Sequence, residues 1–182
     1  ISRDLSGEAL TEFAALKAPQ GYYPDQLRDR QVYWTLVGLP EDREESAFDE
    51  YGNFEPVAGS PMTMPYLYRG GRLYSAFDAV TVTQRLAGDY LPLPTVEWDL
   101  GDLRLTAQAV ARGEIGESAS YVRYRVSNRS DRPVTGQLYL AVRPVQINPI
   151  WQHGGLAPIE SIGLEDQIIR QFLRAHRCVR RL

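Results

Sequence analysis

Cysteine is almost missing from this chain. The single copy, Cys178, excludes an internal disulfide, so stability has to come from packing. Histidine is scarce too. Only His153 and His176 are present, and no Cys/His spacing of a zinc site is formed with Cys178. Of the 20 basic residues one alone is lysine, Lys17, a bias read as that of a GC-rich coding sequence. No apolar run approaches the roughly 20 residues of a membrane-spanning helix. The net charge of −3 gives no electrostatic case for nucleic acid. Neither a membrane nor nucleic acid is therefore expected as a partner.

Nucleotide and nucleophile motifs are lacking as well. "RGGR" (69–72) has no Lys-Ser/Thr after its glycines and lies between strand-like runs, where a turn explains it. There is no Gly-x-Ser-x-Gly and no Cys–His order suited to a nucleophilic hydrolase. "DEYGNFE" (49–55) is loosely calcium-like but lacks the alternating oxygen ligands of an EF-hand loop, so it reads as a solvated turn. No catalytic set, no metal site and no cofactor are expected.

What is present is a chain of 182 residues, 43% hydrophobic, enough for one domain with a real core. It starts at Ile1 without a basic-then-apolar signal pattern, and reads as a piece of something longer. Residues 6–18 favour a short helix with Leu10, Phe13, Ala14 and Lys17 in one stripe and Ser6 as its cap. "QVYWTLVGLP" (31–40) reads as a buried strand. Residues 41–65 read as connection and loop, because glycine and proline crowd the second half. Gly70-Gly71 between two apolar runs marks a hairpin over 66–77. Further strands are predicted over 79–87, on both sides of Gly101-Asp102 within 91–111, over 120–128 and over 134–147.

Eight or so strands at this spacing predict an all-β fold, an antiparallel β-sandwich with short N-terminal and C-terminal helices. The expected organisation is a single domain over 1–182. It comprises a lead-in (1–28), the sandwich (29–162) and an amphipathic helix or linker (163–182). The last rests on Leu164, Ile168, Phe172, Ala175 and Val179 at helical spacing, with Arg174, Arg177, Arg180 and Arg181 on a solvated face.

Three groups of residues could carry chemistry. Glu97 and Asp99 alternate around Trp98, which puts both on one sheet face about 7 Å apart. That separation suits glycoside hydrolysis, but such pairs are common on solvated faces. Glu160 with His153 is a weaker acid/base pair. Arg123, Arg125 and Tyr121 share a strand face opposite Val122, Tyr124 and Val126; the arginine stems are expected to cover the sheet with tips paired to Asp or Glu. The third group is "AVRPVQINPIWQHGG" (141–155). Arg143, Gln146, Asn148, Trp151, Gln152 and His153 combine a flat aromatic with fork-like amide and guanidinium donors, the chemistry that recognises sugars. The competing expectation is a strand exit whose amides bond to loop backbone, with Trp151 capping the core.

Four longer stretches carry a resemblance: "VYWTLVGLPEDREESAFDEYGNFEP" (32–56), "YLPLPTVEWDLGDLRLTAQAVA" (90–111), "YVRYRVSN" (121–128) and "LAVRPVQINPIWQHGG" (140–155). Over about residues 30–160 the chain resembles large bacterial glycoside-hydrolase-like proteins often labelled discoidin or coagulation-factor 5/8-type domain proteins. The resemblance implies a β-super-sandwich similar to galactose mutarotase and to the N-terminal domains of inverting sugar phosphorylases. There it precedes an (α/α) helical barrel that holds the catalytic carboxylates. A carbohydrate ligand, an adjacent helical-barrel domain, and a bacterial cytoplasm or envelope follow as expectations. A full super-sandwich would continue with more strands than this chain supplies. A stand-alone mutarotase-like or epimerase-like enzyme and a purely structural inter-domain module are the alternatives.

Overall fold

A computed structural model describes residues 7–152, 154–165 and 168–173 of the chain. Two antiparallel sheets pack face to face. The first holds β1 (Trp34–Val37), β2 (Ser46–Asp49), β3 (Phe54–Glu55), β4 (Met62–Arg69) and β10 (Gln137–Arg143) in that order, with β5 (Arg72–Tyr74) paired to the end of β4. The second is a meander of β6 (Thr81–Ala87), β7 (Leu91–Asp99), β8 (Leu103–Arg112) and β9 (Ala119–Asn128). Before the sheets come helix α1 (Gly7–Lys17) and a 3-10 turn, Asp25–Arg28. The expected all-β sandwich is thus the observed one.

Strict alternation makes β8 the clearest strand. Leu103, Leu105, Ala107 and Ala109 are buried, while Arg104, Thr106, Gln108 and Val110 face away. The inward set meets Val96 and Trp98 of β7 and, from the facing sheet, Val37, Phe48, Phe54 and Leu67. Trp98 is fully buried, and its indole N–H donates to the Tyr51 carbonyl at 3.0 Å, so its polar handle is satisfied across the core. A second cluster lies on the other face of the first sheet. There Met62, Met64 and Tyr66 pack with Ala15, Leu27, Val145 and Ile147. β4 is therefore buried on both faces: Leu67 serves the inter-sheet core, and the alternate residues serve the lead-in.

Residues 41–65, expected as connection and loop, contain β2, β3 and the start of β4. The prolines misled because Pro65 sits where a missing donor is harmless. β3 meets β4 at Thr63 and β5 meets it from Leu67, so no strand pairs with β4 between those points on that side. The expected solvated turn at 49–55 is also corrected, since Asp49, Glu50, Asn53 and Glu55 are buried. Asp49 explains how. Its carboxylate accepts from the Tyr51 and Asn53 amides at 2.9 and 2.8 Å and from Asn53 Nδ2 at 2.6 Å, closing the β2–β3 turn.

The N-terminal helix is present, but its apolar stripe is not what docks it. Leu10, Phe13 and Leu16 are each more than half exposed, and Ala15 is the buried contact. Arg28 Nη1 instead ties the helix end down, donating to the Ala15 and Ala18 carbonyls at 2.9 and 2.8 Å. Ser6 lies outside the described residues.

The expected C-terminal helix is overturned over its described part. β11 (Ile159–Glu165) and β12 (Ile168–Leu173) pair antiparallel, with Leu164 opposite Ile169. Short apolar runs fit either period, and the β-branched Ile162, Ile168 and Ile169 favour the extended form. Residues 174–182, with the four arginines of the expected helix face, lie outside the described residues.

Candidate functional site

Two surfaces combine exposed chemistry with a fixed frame. The first is the strand exit after β10. Its backbone is closed by a bridge between Val145 and Leu156, with the Gln146 amide donating to the Gly155 carbonyl at 2.9 Å and the Ala157 amide to the Pro144 carbonyl at 2.8 Å. Ile147 and Pro149 are fully buried, and the Ile147 amide donates to Glu55 Oε2 at 2.7 Å. Glu55 Oε1 takes the Gly59 amide as well, at 2.7 Å; burial still pushes its pKa up. Gly154 passes so close to Asn148 that a Cβ there would lie 1.7 Å from the Asn148 carbonyl oxygen. Glycine is required by that approach.

On this frame the six predicted residues divide. Arg143 donates to the Tyr22 carbonyl and, at 3.4 Å, to the Tyr66 hydroxyl, with its guanidinium 5.2 Å from the centre of the Tyr23 ring. The Gln146 carbonyl accepts from Gln26 Nε2 at 2.6 Å, and its own amide reaches the Leu156 carbonyl at 3.5 Å. These two bind the exit to the lead-in. Asn148 is half-buried against Gly154. Trp151 and Gln152 sit on a 3-10 turn, Ile150–Gln152, with Trp151 52% exposed and Gln152 exposed beside it. Trp151 therefore does not cap the core. His153 lies outside the described residues, so its pairing with the exposed Glu160 of β11 is not described either.

The second surface is the outer face of the four-stranded sheet. It forms a concavity of about 400 Å3 lined by Arg85, Thr95, Glu97, Arg104, Thr106, Gln108, Arg123, Arg125, Ser127 and Arg129. Register explains the assembly. Arg85, Thr95, Gln108 and Arg123 stand in one row across the strands; Thr83, Glu97, Thr106 and Arg125 form the next; Thr81, Asp99, Arg104 and Ser127 the third. Each strand contributes its alternate residues, and every one of these is polar. Arg123 Nη2 donates to Gln108 Oε1 at 3.1 Å, and Gln108 Nε2 donates to Thr95 Oγ1 at 3.1 Å.

Glu97 and Asp99 do share this face, as expected, but both are engaged. Glu97 Oε1 is 3.2 Å from Arg104 Nε, an ion pair too poorly aligned for a hydrogen bond. Asp99 is bound by Arg129 at 2.7 Å; the Gly101 amide, then Arg129, hold its pKa below the usual carboxylate range. Tyr121 stands exposed on the same side beyond Arg123, while Val122 and Tyr124 pack on the core. The expectation that the tips of Arg123 and Arg125 pair with acids is not met; the acids of this face pair with Arg104 and Arg129 instead. Among the described residues, Arg85, Arg123 and Arg125 have no carboxylate in ion-pair contact. Sequence reasoning saw two of these arginines but not the face. The missing signal was the pairing order, which aligns three alternating polar strands with a fourth.

Comparison with protein-family models, with curated proteins and with solved structures returns no match.

Proposed function

We propose that this chain is a non-catalytic β-sandwich module of a carbohydrate-active multidomain protein, contributing packing and sugar contacts to a glycoside-hydrolase-like catalytic domain. The observation that carries the reading is Trp151: a large flat ring, half exposed beside Gln152, on a turn whose backbone is fixed by buried Ile147 and Pro149. A ring presented in this way stacks on the C–H face of a sugar without first having to be ordered. The resemblance to sandwich domains of glycoside-hydrolase-like proteins supports the same class. The engagement of Glu97 and Asp99 by arginines argues against their use as an acid/base pair.

Trp151→Ala tests it. Oligosaccharide binding by the chain should weaken by about 1–3 kcal/mol, the scale of a lost aromatic platform. The melting temperature should move little, because the ring supports little core. A purely structural module is the competing reading, favoured by the commitment of the Arg143 and Gln146 side chains to the Tyr22 and Leu156 carbonyls. Unchanged sugar titration in a normally folded Trp151→Ala variant would decide for it.

A further inference from the structure

We infer that the concave outer face of β6–β9 is a binding site for an acidic saccharide, held through its carboxylate or sulfate groups by Arg85, Arg123 and Arg125. The site lies on the other sheet from Trp151. Its anionic selectivity rests on charge observed on this face, and only the saccharide part of the assignment rests on the carbohydrate reading.

Charge comes first. The face carries five guanidiniums, of Arg85, Arg104, Arg123, Arg125 and Arg129, against the carboxylates of Glu97 and Asp99. Three positive charges are left over on one side of a chain whose net charge is −3. The surplus is also located. Arg104 and Arg129 are spent on Glu97 and Asp99, so the guanidiniums without an acid are Arg85 at one edge of the sheet and Arg123 and Arg125 at the other. Those edge strands stand about 14 Å apart, three inter-strand steps, so the forks without a carboxylate flank the concavity. Planar guanidiniums match carboxylate and sulfate oxygens two at a time.

The floor then selects the kind of anion. Between the forks lie Thr106 and Ser127, half-buried hydroxyls able to pair with sugar hydroxyls, beside Gln108, whose amide is held between Arg123 and the buried Thr95. Among the described residues no aromatic lines the concavity, and Tyr121 stands at its margin. A strand of bases needs a succession of stacking rings, which this face does not offer. A single marginal tyrosine is enough for one sugar ring.

The test uses an oligogalacturonate and its fully methyl-esterified form, which keep the sugar and differ in charge, with a sulfated oligosaccharide as a second acidic arm. The acid should bind, more weakly as ionic strength rises, and the ester at least about tenfold more weakly. A sulfated chain bound in place of the uronate would identify the sulfate source and support the same site. Arg85→Gln and Arg125→Gln should each cost about tenfold, the scale of one lost charge-assisted hydrogen bond. Arg43→Gln, which removes an exposed charge from the β1–β2 connection, should cost nothing. All three sites are exposed, so melting should be unchanged. Equal binding of acid and ester would overturn the inference and leave the carbohydrate reading standing. Polyglutamate bound as tightly as the uronate would overturn the saccharide assignment in favour of an acidic protein surface. An equal loss in Arg43→Gln would reduce the effect to overall charge. Failure of the folded chain to bind either acidic sugar would reject the site, while neutral-sugar binding sensitive to Trp151→Ala would still test the other surface separately.

Discussion

Asp49 shows how far a single side chain can be misjudged from its neighbours. In sequence it belongs to an acidic, glycine-containing stretch that reads as solvated. In the fold it accepts three N–H donors inside the β2–β3 turn. Asp49→Ala would leave all three without an acceptor in a buried place. The expected loss is on the order of 3–5 kcal/mol in urea unfolding, since each orphaned donor costs about 1–3 kcal/mol. Trp151 illustrates the opposite case. Its chemistry was legible, but whether it faced the core or solvent was not, because that depends on how the turn is seated by buried Ile147 and Pro149, whose carbonyl accepts the Gln152 amide at 2.9 Å. Arg143 and Gln146 were legible as hydrogen-bonding residues. The Arg143 partner, Tyr22, and Gln26, which donates to the backbone carbonyl of Gln146, lie in the lead-in more than a hundred residues away, and no local pattern points to them.

At the level of elements, alternation was a reliable guide wherever a strand has one core face and one polar face, as in β8 and β9. It failed where a strand is buried on both sides. β4 has no alternation to read, and Pro65 within it, with Pro61 just before, argued for a loop. The C-terminal stretch failed for a different reason: its apolar residues satisfy a helical spacing while its isoleucines suit a strand. β10 carries a consequence of its own. It pairs with β4 along its whole length, and its other edge has no strand partner among the described residues. Leu138, Tyr139 and Leu140 are all partly exposed along it. An apolar open edge invites pairing with a second chain. Leu140→Lys should therefore reduce concentration-dependent light scattering and leave the melting temperature within a few degrees of the parent. Scattering that is unaffected would place self-association elsewhere.

For the molecule as a whole, the buried carboxyls set the pH response. Burial raises the pKa of Asp25, Glu50 and Glu55, and pushes Asp49 up to about 7. The folded chain thus holds protons that the unfolded chain releases from about pH 4 upward. Stability should fall as pH rises from about 4 to about 7 and level off above that. Asp42, Asp99 and Asp102 act in the other direction. Their carboxyls are held below the usual range, first by Ser118, the Gly101 amide and Arg69 respectively, and their contribution is lost as pH falls below about 4. The melting temperature should therefore peak near pH 4–5 and be lower at pH 8. Asp49→Asn should flatten the fall between pH 5 and 8, whatever its absolute stability. A profile unchanged in that variant would assign the slope to the other carboxyls.

The pairing of β4 with β10 also has a meaning in time. Leu67 faces Leu138, and the whole of β5 to β9 lies between them in the chain. The second sheet is joined only by neighbouring hairpins, so it can assemble from local encounters. In the first sheet β1 to β5 also pair with chain neighbours, and the β4–β10 contact is the one that must wait for a long loop to close. The meander should gain amide-exchange protection early, and β10 should be among the last strands to become protected, together with the strand exit that follows it and packs on the lead-in. Folding should then be slow for a chain of this size. Until β10 arrives, the waiting strand offers an apolar surface to other chains.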